Sequence, residues 1–196
     1  MLSPKEEKTV LLIKPDGVKR GIVGDIISRI EQRGLKLIAL KMLNASKGKA
    51  RSHYPGTDTW LIGMGNKTLE NYEKYGKDPI KELGSDDPKK IGDKIYDWNV
   101  EYLTSGPMVA MLIKGLHAID MVRKIVGHTL PSKADMGTVR GDYSVDSPTL
   151  ANGQKRAIRN IVHASGDLGE ATHEIKHWFK EDDICDYKRS DEDIMF

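Results

Sequence analysis

An α/β sandwich with a four-stranded antiparallel sheet is the fold class this sequence predicts, and three observations predict it. Short apolar runs rich in β-branched residues, each closed by Gly, Pro or Asp, occur at 9–14, 35–43, 108–113 and 159–162. Such runs are too short for buried helices and read as strands. Between them lie stripes of apolar residues at i, i+3, i+4 and i+7, the spacing of amphipathic helices. Strands and helices alternate as β-α-β, then an excursion, then α-β-α-β-α.

In chain order, Thr9–Lys14 (TVLLIK) is a buried strand stopped by Pro15-Asp16-Gly17. Val23, Ile26, Ile27 and Ile30 form one helical stripe that ends near Gly34, and Leu35–Leu43 is the second strand. Helix-compatible sequence continues to Tyr54. Residues 55–94 are rich in glycine, proline and charge, and read as an inserted surface excursion with one short helix. Tyr96–Leu103 is helical, Ser105-Gly106-Pro107 punctuates, and Met108–Ile113 is a buried strand. Ala118, Val122 and Ile125 mark a helix closed by Gly127. A long loop covers 128–158, Arg159–Val162 is the last strand, and Leu168, Ala171, Thr172, Ile175, Trp178 and Phe179 stripe the final helix. The chain thus reads as one domain over 1–196 of ferredoxin-like, split-βαβ type. It carries insertions at about 55–94 and 144–158 and a charged tail, 180–196.

Composition narrows the function. With 31 Lys+Arg against 29 Asp+Glu the net charge is +2, which argues against a dedicated nucleic-acid surface. Cys185 is the only cysteine, so no internal disulfide forms. The N-terminus has no apolar stretch of signal-peptide length, and no run spans a bilayer. These features point to a soluble cytoplasmic protein without a membrane surface.

Residues 173–177 spell HEIKH, the H-E-x-x-H pattern of helical zinc sites. On a helix of about 100° per residue, His173 and His177 fall opposite the apolar stripe, exposed, with no third ligand downstream. Glu174 falls on the flank of that stripe. HEIKH is therefore two surface histidines and a carboxylate at the core edge. Other nucleotide motifs are incomplete: Gly48-Lys49 is followed by Ala50, and Gly63-Met64-Gly65 does not extend to G-x-G-x-x-G. No G-x-S-x-G is present.

Two stretches carry more. KPDGVKRG, Lys14–Gly21, sets a lysine at a strand end before a tight turn and a helix. RNIVHAS, Arg159–Ser165, sets a histidine between a strand-like segment and the last helix. With SGPMVAML (105–112), VRKIVGHTLP (122–131), GTVRGDY (137–143) and EATHEIKHWF (170–179), these stretches occur in the order found in the nucleoside diphosphate kinase family. The sequence closely resembles that family, as a long variant with two insertions.

The resemblance implies transfer of the γ-phosphate of ATP or another NTP to an NDP by a ping-pong route through a phosphohistidine. Neutral imidazole is nucleophilic near pH 7, and the transfer otherwise needs positioning and charge neutralisation. By the same resemblance His163 is the phosphorylated residue, Glu174 orients its imidazole, and Ser165 supports Glu174. Lys14, Arg123 and Arg140 neutralise phosphates, Tyr54 and Thr129 present hydroxyls to them, and Lys14 with Asn160 contacts the ribose. Mg²⁺ arrives bridging the nucleotide phosphates, with no metal cage from the protein. The family's oligomers, hexamers or tetramers, imply a homo-oligomer. Three departures stand out. The first insertion displaces the aromatic residue that stacks on the base, leaving Trp60, Ile95, Tyr96 and Trp98 as alternatives. The 144–158 loop is extended, and Ala164 stands where the family has glycine. His53, His117 and His128 read as structural or surface histidines.

Overall fold

The computed structural model describes residues 6–195. The readings that fall on residues 1–5 and on Phe196 lie outside them.

The first strand, β1 (Glu6–Ile13), runs into α1 (Pro15–Lys19), so the predicted Pro-Asp-Gly turn is one short helix with Pro15 in its first turn, where no amide donor is needed. Helix α2 (Val23–Gln32) and strand β2 (Lys36–Leu43) follow as predicted, then α3 (Lys47–His53), capped by Ser46. Next come α4 (Asp58–Lys74), α5 (Pro79–Leu83) and α6 (Pro88–Leu103). Strand β3 (Met108–Leu116) and α7 (Ala118–Val126) precede the short helices α8 (Val139–Tyr143) and α9 (Pro148–Gly153). The chain closes with β4 (Val162–Ala164), α10 (Leu168–Trp178) and α11 (Glu192–Met195).

The strands form one antiparallel sheet in the order β2-β3-β1-β4. The apolar run of β1 is continuous because both faces are covered. Leu11 and Ile13 enter a core with Ile26 and Ile30 of α2 and Val122 and Val126 of α7. Val10 and Leu12 enter the opposite core with Ala50 of α3, Val100 and Leu103 of α6 and Trp178 of α10. The alternation is the period of a strand buried on both sides.

The excursion is where expectation and structure part. In place of one short helix it holds the 17-residue α4, α5 and the start of α6, which begins eight residues before the expected Tyr96. Its glycines serve packing. A Cβ on Gly65 would sit 1.8 Å from the Pro88 carbonyl oxygen, and one on Gly92 would sit 2.1 Å from that of Leu61. The two helices therefore touch backbone to backbone, antiparallel, over a satellite core of Tyr72, Leu83, Ile91 and Ile95. Loop 128–158 likewise contains α8 and α9, and the two insertions meet where Thr149 Oγ1 donates to Asn71 Oδ1 at 3.4 Å. The charged tail lies along β2: the Cys185 amide donates to the Ile38 carbonyl (2.8 Å), and the buried Lys36 ammonium pairs with Glu192 (2.8 Å).

Candidate active site

The site grows from the end of β1 and its pairing with β4. Leu12 pairs with His163, and the amide of Lys14, one residue past β1, donates to the Ile161 carbonyl at 2.7 Å. The predicted strand 159–162 is shifted: β4 is Val162–Ala164, and the chain before it is irregular. The reason is Ile161, whose φ is +67°. A β-branched residue there is strained by about 1–3 kcal/mol. Its environment imposes the conformation, since the Ile161 amide donates to Asp16 Oδ2 (3.2 Å) and approaches the Tyr102 hydroxyl (3.3 Å). Arg140, 5% exposed, adds a clamp by donating to the carbonyls of Asn160 (3.2 Å), Val162 (2.8 Å) and Gly127 (2.7 Å). Three of its nitrogens are thus spent on backbone, tying the segment before His163 to the end of α7.

His163 stands against α10. Its Nε2 lies 2.7 Å from Glu174 Oε1, and Glu174 Oε2 accepts from Ser165 Oγ at 2.7 Å. Ser165 is fully buried and its oxygen also accepts from the Val10 amide at 3.2 Å, which hangs the carboxylate from β1. With Glu174 ionised, Nε2 carries the proton and the lone pair of the neutral ring is on Nδ1. Burial, then Lys14, Arg140 and Arg123, drive the His163 pKa down from 6.5 to about 3. The imidazole keeps 22% of its side-chain surface open, and the downward direction rests on the neighbouring cations as well as on burial. Burial raises the Glu174 pKa above the ordinary carboxylate value, opposed by its hydrogen bond from Ser165 and by the nearby histidines.

The α10 stripe is rotated from its predicted position. Leu168 is 66% exposed and Thr172 is exposed, while Ala171, Glu174 and Trp178 are buried. Glu174 is thus in the middle of the buried face, because an uncounted carboxylate fills a turn of the stripe. His173 is exposed as expected. His177 is not fully exposed: it is half-buried, with Nε2 2.9 Å from the Lys49 carbonyl of α3.

Lys14 is 6% exposed and donates to Asn160 Oδ1 at 2.8 Å, with its ammonium 5.0 Å from the Tyr102 ring centroid. Asn160 Nδ2 donates to the Thr129 carbonyl at 3.1 Å, which joins Thr129 to the same group; Thr129 itself is exposed. Burial and the Arg140 charge lower the Lys14 pKa from 10.5 to about 7, against a smaller upward pull from Asp16. Arg123, near the end of α7, is exposed, and its Nη1 lies 3.3 Å from where a Gly166 Cβ would sit, just past β4.

Tyr54 is half-buried, and its hydroxyl is enclosed without a hydrogen-bond partner. Burial raises its pKa. The neighbouring His53, read from sequence as a structural histidine, belongs to the site. It is 5% exposed, its ring stands edge-on to His163 at 4.5 Å, and its Nδ1 lies 3.8 Å from Glu174 Oε1. Trp178 Nε1 donates to that same Nδ1 at 3.3 Å. Burial first, and then His163, push the His53 pKa down to about 2. The available signal was adjacency to Tyr54 in the His-Tyr pair. Tyr102 and Asp16, which hold Ile161 and flank Lys14, carried no signal beyond the motif that contains Asp16.

Of the four base-stacking alternatives, Ile95 is 8% exposed inside the α4–α6 core and has no face to offer. Trp60 and Tyr96 pack with Tyr54 at centroid distances of 6.1–6.3 Å. Trp98 lines a separate cleft of about 870 Å³ with Tyr102, Leu150, Ala157 and Arg159. No helix among the described residues is long and apolar enough to cross a membrane.

The family model of nucleoside diphosphate kinase matches residues 7–59 and 88–184, leaving out most of α4 and all of α5. The nucleoside diphosphate kinase of Pyrobaculum aerophilum is 48% identical over 180 residues, 92% of this chain and 98% of that one. A crystal structure of an NDP kinase from the same organism superposes with a TM-score of 0.90 at 47% identity, covering 93% of this chain and 100% of the other. A transition-state mimic of the nucleoside-diphosphate kinase from Borrelia burgdorferi, with bound vanadate and ADP, gives 0.76 at 32% identity, covering 97% and 96%. Fold and relatives together define a phosphotransferase of the antiparallel α/β-sandwich type. The chain belongs to the nucleoside diphosphate kinase family.

Proposed function

We propose that this protein passes the γ-phosphate of a nucleoside triphosphate to a nucleoside diphosphate through a phosphorylated His163. One observation carries the assignment: Nε2 of His163 is fixed by Glu174 at 2.7 Å while Glu174 is fixed by Ser165 at 2.7 Å. This chain selects one tautomer of a neutral imidazole and leaves Nδ1 as the nucleophile. In the first half-reaction Nδ1 attacks the γ-phosphorus, the bond to the β–γ bridging oxygen breaks, and NDP leaves. Positive charge that develops on the ring is shared through the Nε2 proton with Glu174, which stays in place as acceptor. The second half-reaction reverses these steps onto another NDP.

The supporting residues divide the remaining work. Lys14, Arg140 and Arg123 lower the pKa of His163 through their charge; all three are the cations proposed for phosphate oxygens, Arg140 with the two N–H donors left after the three it gives to backbone carbonyls. Lys14 and Asn160, joined at 2.8 Å, supply a donor pair for the ribose, with Thr129 and Tyr54 nearby for phosphate oxygens. Both Glu174 oxygens are engaged and the other charges around His163 are cationic. A hard dication is therefore best held by the substrate, and Mg²⁺ enters as the magnesium nucleotide, where it shields the phosphate charge. The Borrelia relative's vanadate and ADP are consistent with phosphoryl transfer at such a site. A cytoplasmic homo-oligomer is the setting in keeping with this reading.

The test is incubation with γ-labelled ATP. Label that is acid-labile and alkali-stable, and absent from a folded His163→Gln variant, supports the reading. Persistent labelling of that variant would remove His163 as the nucleophile.

A further inference from the structure

The nitrogen and oxygen atoms of His53, His163 and Glu174 that face one another lie within 4.8 Å as a set. They come from three separate elements, α3, β4 and α10, and all three side chains are held by packing or hydrogen bonds. Two imidazoles and one carboxylate are the donor set of a three-ligand zinc site with one open position. We infer that this triad is an inhibitory site for a borderline-soft divalent cation, of which Zn²⁺ is the physiological example.

The geometry needs little rearrangement. Tetrahedral zinc with bonds of about 2.0–2.1 Å sets its ligand atoms roughly 3.3 Å apart. Glu174 Oε1 is 2.7 Å from His163 Nε2 and 3.8 Å from His53 Nδ1, each within about 0.6 Å of that spacing, and the two ring nitrogens, within 4.8 Å of one another, close by about 1.5 Å at most. His53 Nδ1 gives up only a long 3.3 Å bond from Trp178. The three cations Lys14, Arg123 and Arg140 oppose a dication, and Glu174 only partly offsets them. The site is therefore of moderate affinity and reversible. Mg²⁺ is a poor occupant because it demands oxygen ligands.

The consequence follows from the tautomer. A cation on Nε2 of His163 displaces the proton that Glu174 accepts, and in the neutral ring that proton reappears on Nδ1. Nδ1 then has no lone pair with which to attack phosphorus. No net proton is released, and the phosphate-binding cations are untouched. Zinc should block phosphorylation without weakening nucleotide binding. The inhibitory half rests on His163 being the nucleophile, while the binding half rests on geometry alone.

HEIKH supplies the competing site, the exposed His173 and the half-buried His177 at i, i+4. The experiment is a titration of purified nucleotide-free enzyme with Co²⁺, read by its visible absorption, followed by single-turnover labelling from MgATP at buffered free Zn²⁺ and a fluorescent-ADP binding assay. One cobalt per chain with a four-coordinate spectrum is expected. Labelling should fall in proportion to occupancy, with ADP affinity not reduced. His53→Gln and Glu174→Ala should each raise the half-saturating Co²⁺ concentration by at least the roughly 10–100-fold seen for lost outer-shell partners. His173→Ala with His177→Ala should change neither labelling nor inhibition. Three results would each overturn the site: no cobalt binding, binding indifferent to His53→Gln and Glu174→Ala, or full-rate labelling with the ion bound. Loss of binding in the His173/His177 double variant would overturn it too, by moving the ion to that pair. If metal-free enzyme does not label at all, the nucleophile reading fails, and the cobalt titration still decides the site.

Discussion

If Lys14 meets phosphate oxygens as proposed, nucleotide binding should take up a proton. Its ammonium is buried at 6% exposure, bound to a neutral amide oxygen 2.8 Å away and to an aromatic face, with the Arg140 charge nearby. Desolvation first and Arg140 second bring its pKa from 10.5 to about 7. At pH 8 such a group is roughly 90% deprotonated, while a lysine facing phosphate oxygens is charged. Binding of an NDP should therefore take up about 0.9 proton at pH 8 and about 0.1 at pH 6. Affinity should fall by up to about tenfold per pH unit above 7, because a proton is then a co-substrate of binding. Terminal phosphates titrate near pH 6 and do not contribute at pH 8. The measurement is calorimetry of MgADP binding at pH 8 in two buffers of different ionisation enthalpy, whose difference in heat gives the proton count. Lys14→Met should bind more weakly and abolish the difference. Stability carries the matching sign. The unfolded chain holds the lysine proton up to 10.5 and the native chain only to about 7. Burial of the charge thus costs stability in full below pH 7, and that cost is relieved as pH rises from 7 to 10.5. A buffer-independent binding heat at pH 8 in the wild-type protein would refute the reasoning.

Three further outcomes can be read separately. Glu174→Gln keeps an amide oxygen to accept from Nε2 and should slow His163 phosphorylation partially, while Glu174→Ala should slow it more, to about 10²-fold or less, with ADP affinity little changed; rapid-mixing kinetics of both variants decide, and a full-rate Glu174→Ala enzyme would reduce Glu174 to packing. The depressed His163 pKa keeps the ring neutral well below 6.5, so the rate of phosphoenzyme formation at saturating nucleotide should show no acid limb near pH 6.5; a half-loss at that pH would mean an unshifted imidazole. Gly65→Ala drives a methyl into the Pro88 carbonyl and should destabilise the protein by about 1–3 kcal/mol, seen as a lowered denaturation midpoint, whereas Gly63→Ala, which meets open space, should not; equal midpoints would show that α4 and α6 do not touch there.

The sheet and the ordered motifs were legible because each is a local pattern with a global reason. Val10–Ile13 is apolar throughout since β1 is covered on both faces, and the α2 and α7 stripes face one core. The α4–α6 pair was not legible. Glycine in quantity signals loop in a sequence, and only the partner backbone 1.8–2.1 Å from the hypothetical Cβ atoms shows that Gly65 and Gly92 permit helix contact. The α10 stripe was misplaced for the converse reason. Hydrophobic periodicity counts apolar residues, and Glu174 is a buried carboxylate satisfied by Ser165 and His163, neither of which is near it in sequence. His53 offered only its adjacency to Tyr54, a short match, and its place in the site shows only where the fold sets it 4.5 Å from His163.

The same contrast explains how the candidate site is held independently of segments 55–94 and 144–158. His163, Lys14 and Ser165 are fixed to β1 by backbone hydrogen bonds or strand pairing, and β1 is the inner strand between β3 and β4. Arg140 is fixed to the segment before His163 through two carbonyls, Asn160 and Val162, and to the end of α7 through Gly127, so its position depends on these contacts and not on the length of the following loop. The first insertion enters after α3 and returns along α6, with its own core of Tyr72, Leu83, Ile91 and Ile95 to offset the cost of ordering it. Closing a longer loop adds little further cost, since that penalty grows only with the logarithm of length. The second insertion rests on the first through Thr149 and Asn71. Added chain therefore accumulates on one flank, against α6. Of the residues weighed for base stacking, Ile95 is drawn into the satellite core, Trp60 and Tyr96 pack on Tyr54, and Trp98 lines the separate cleft beside Tyr102.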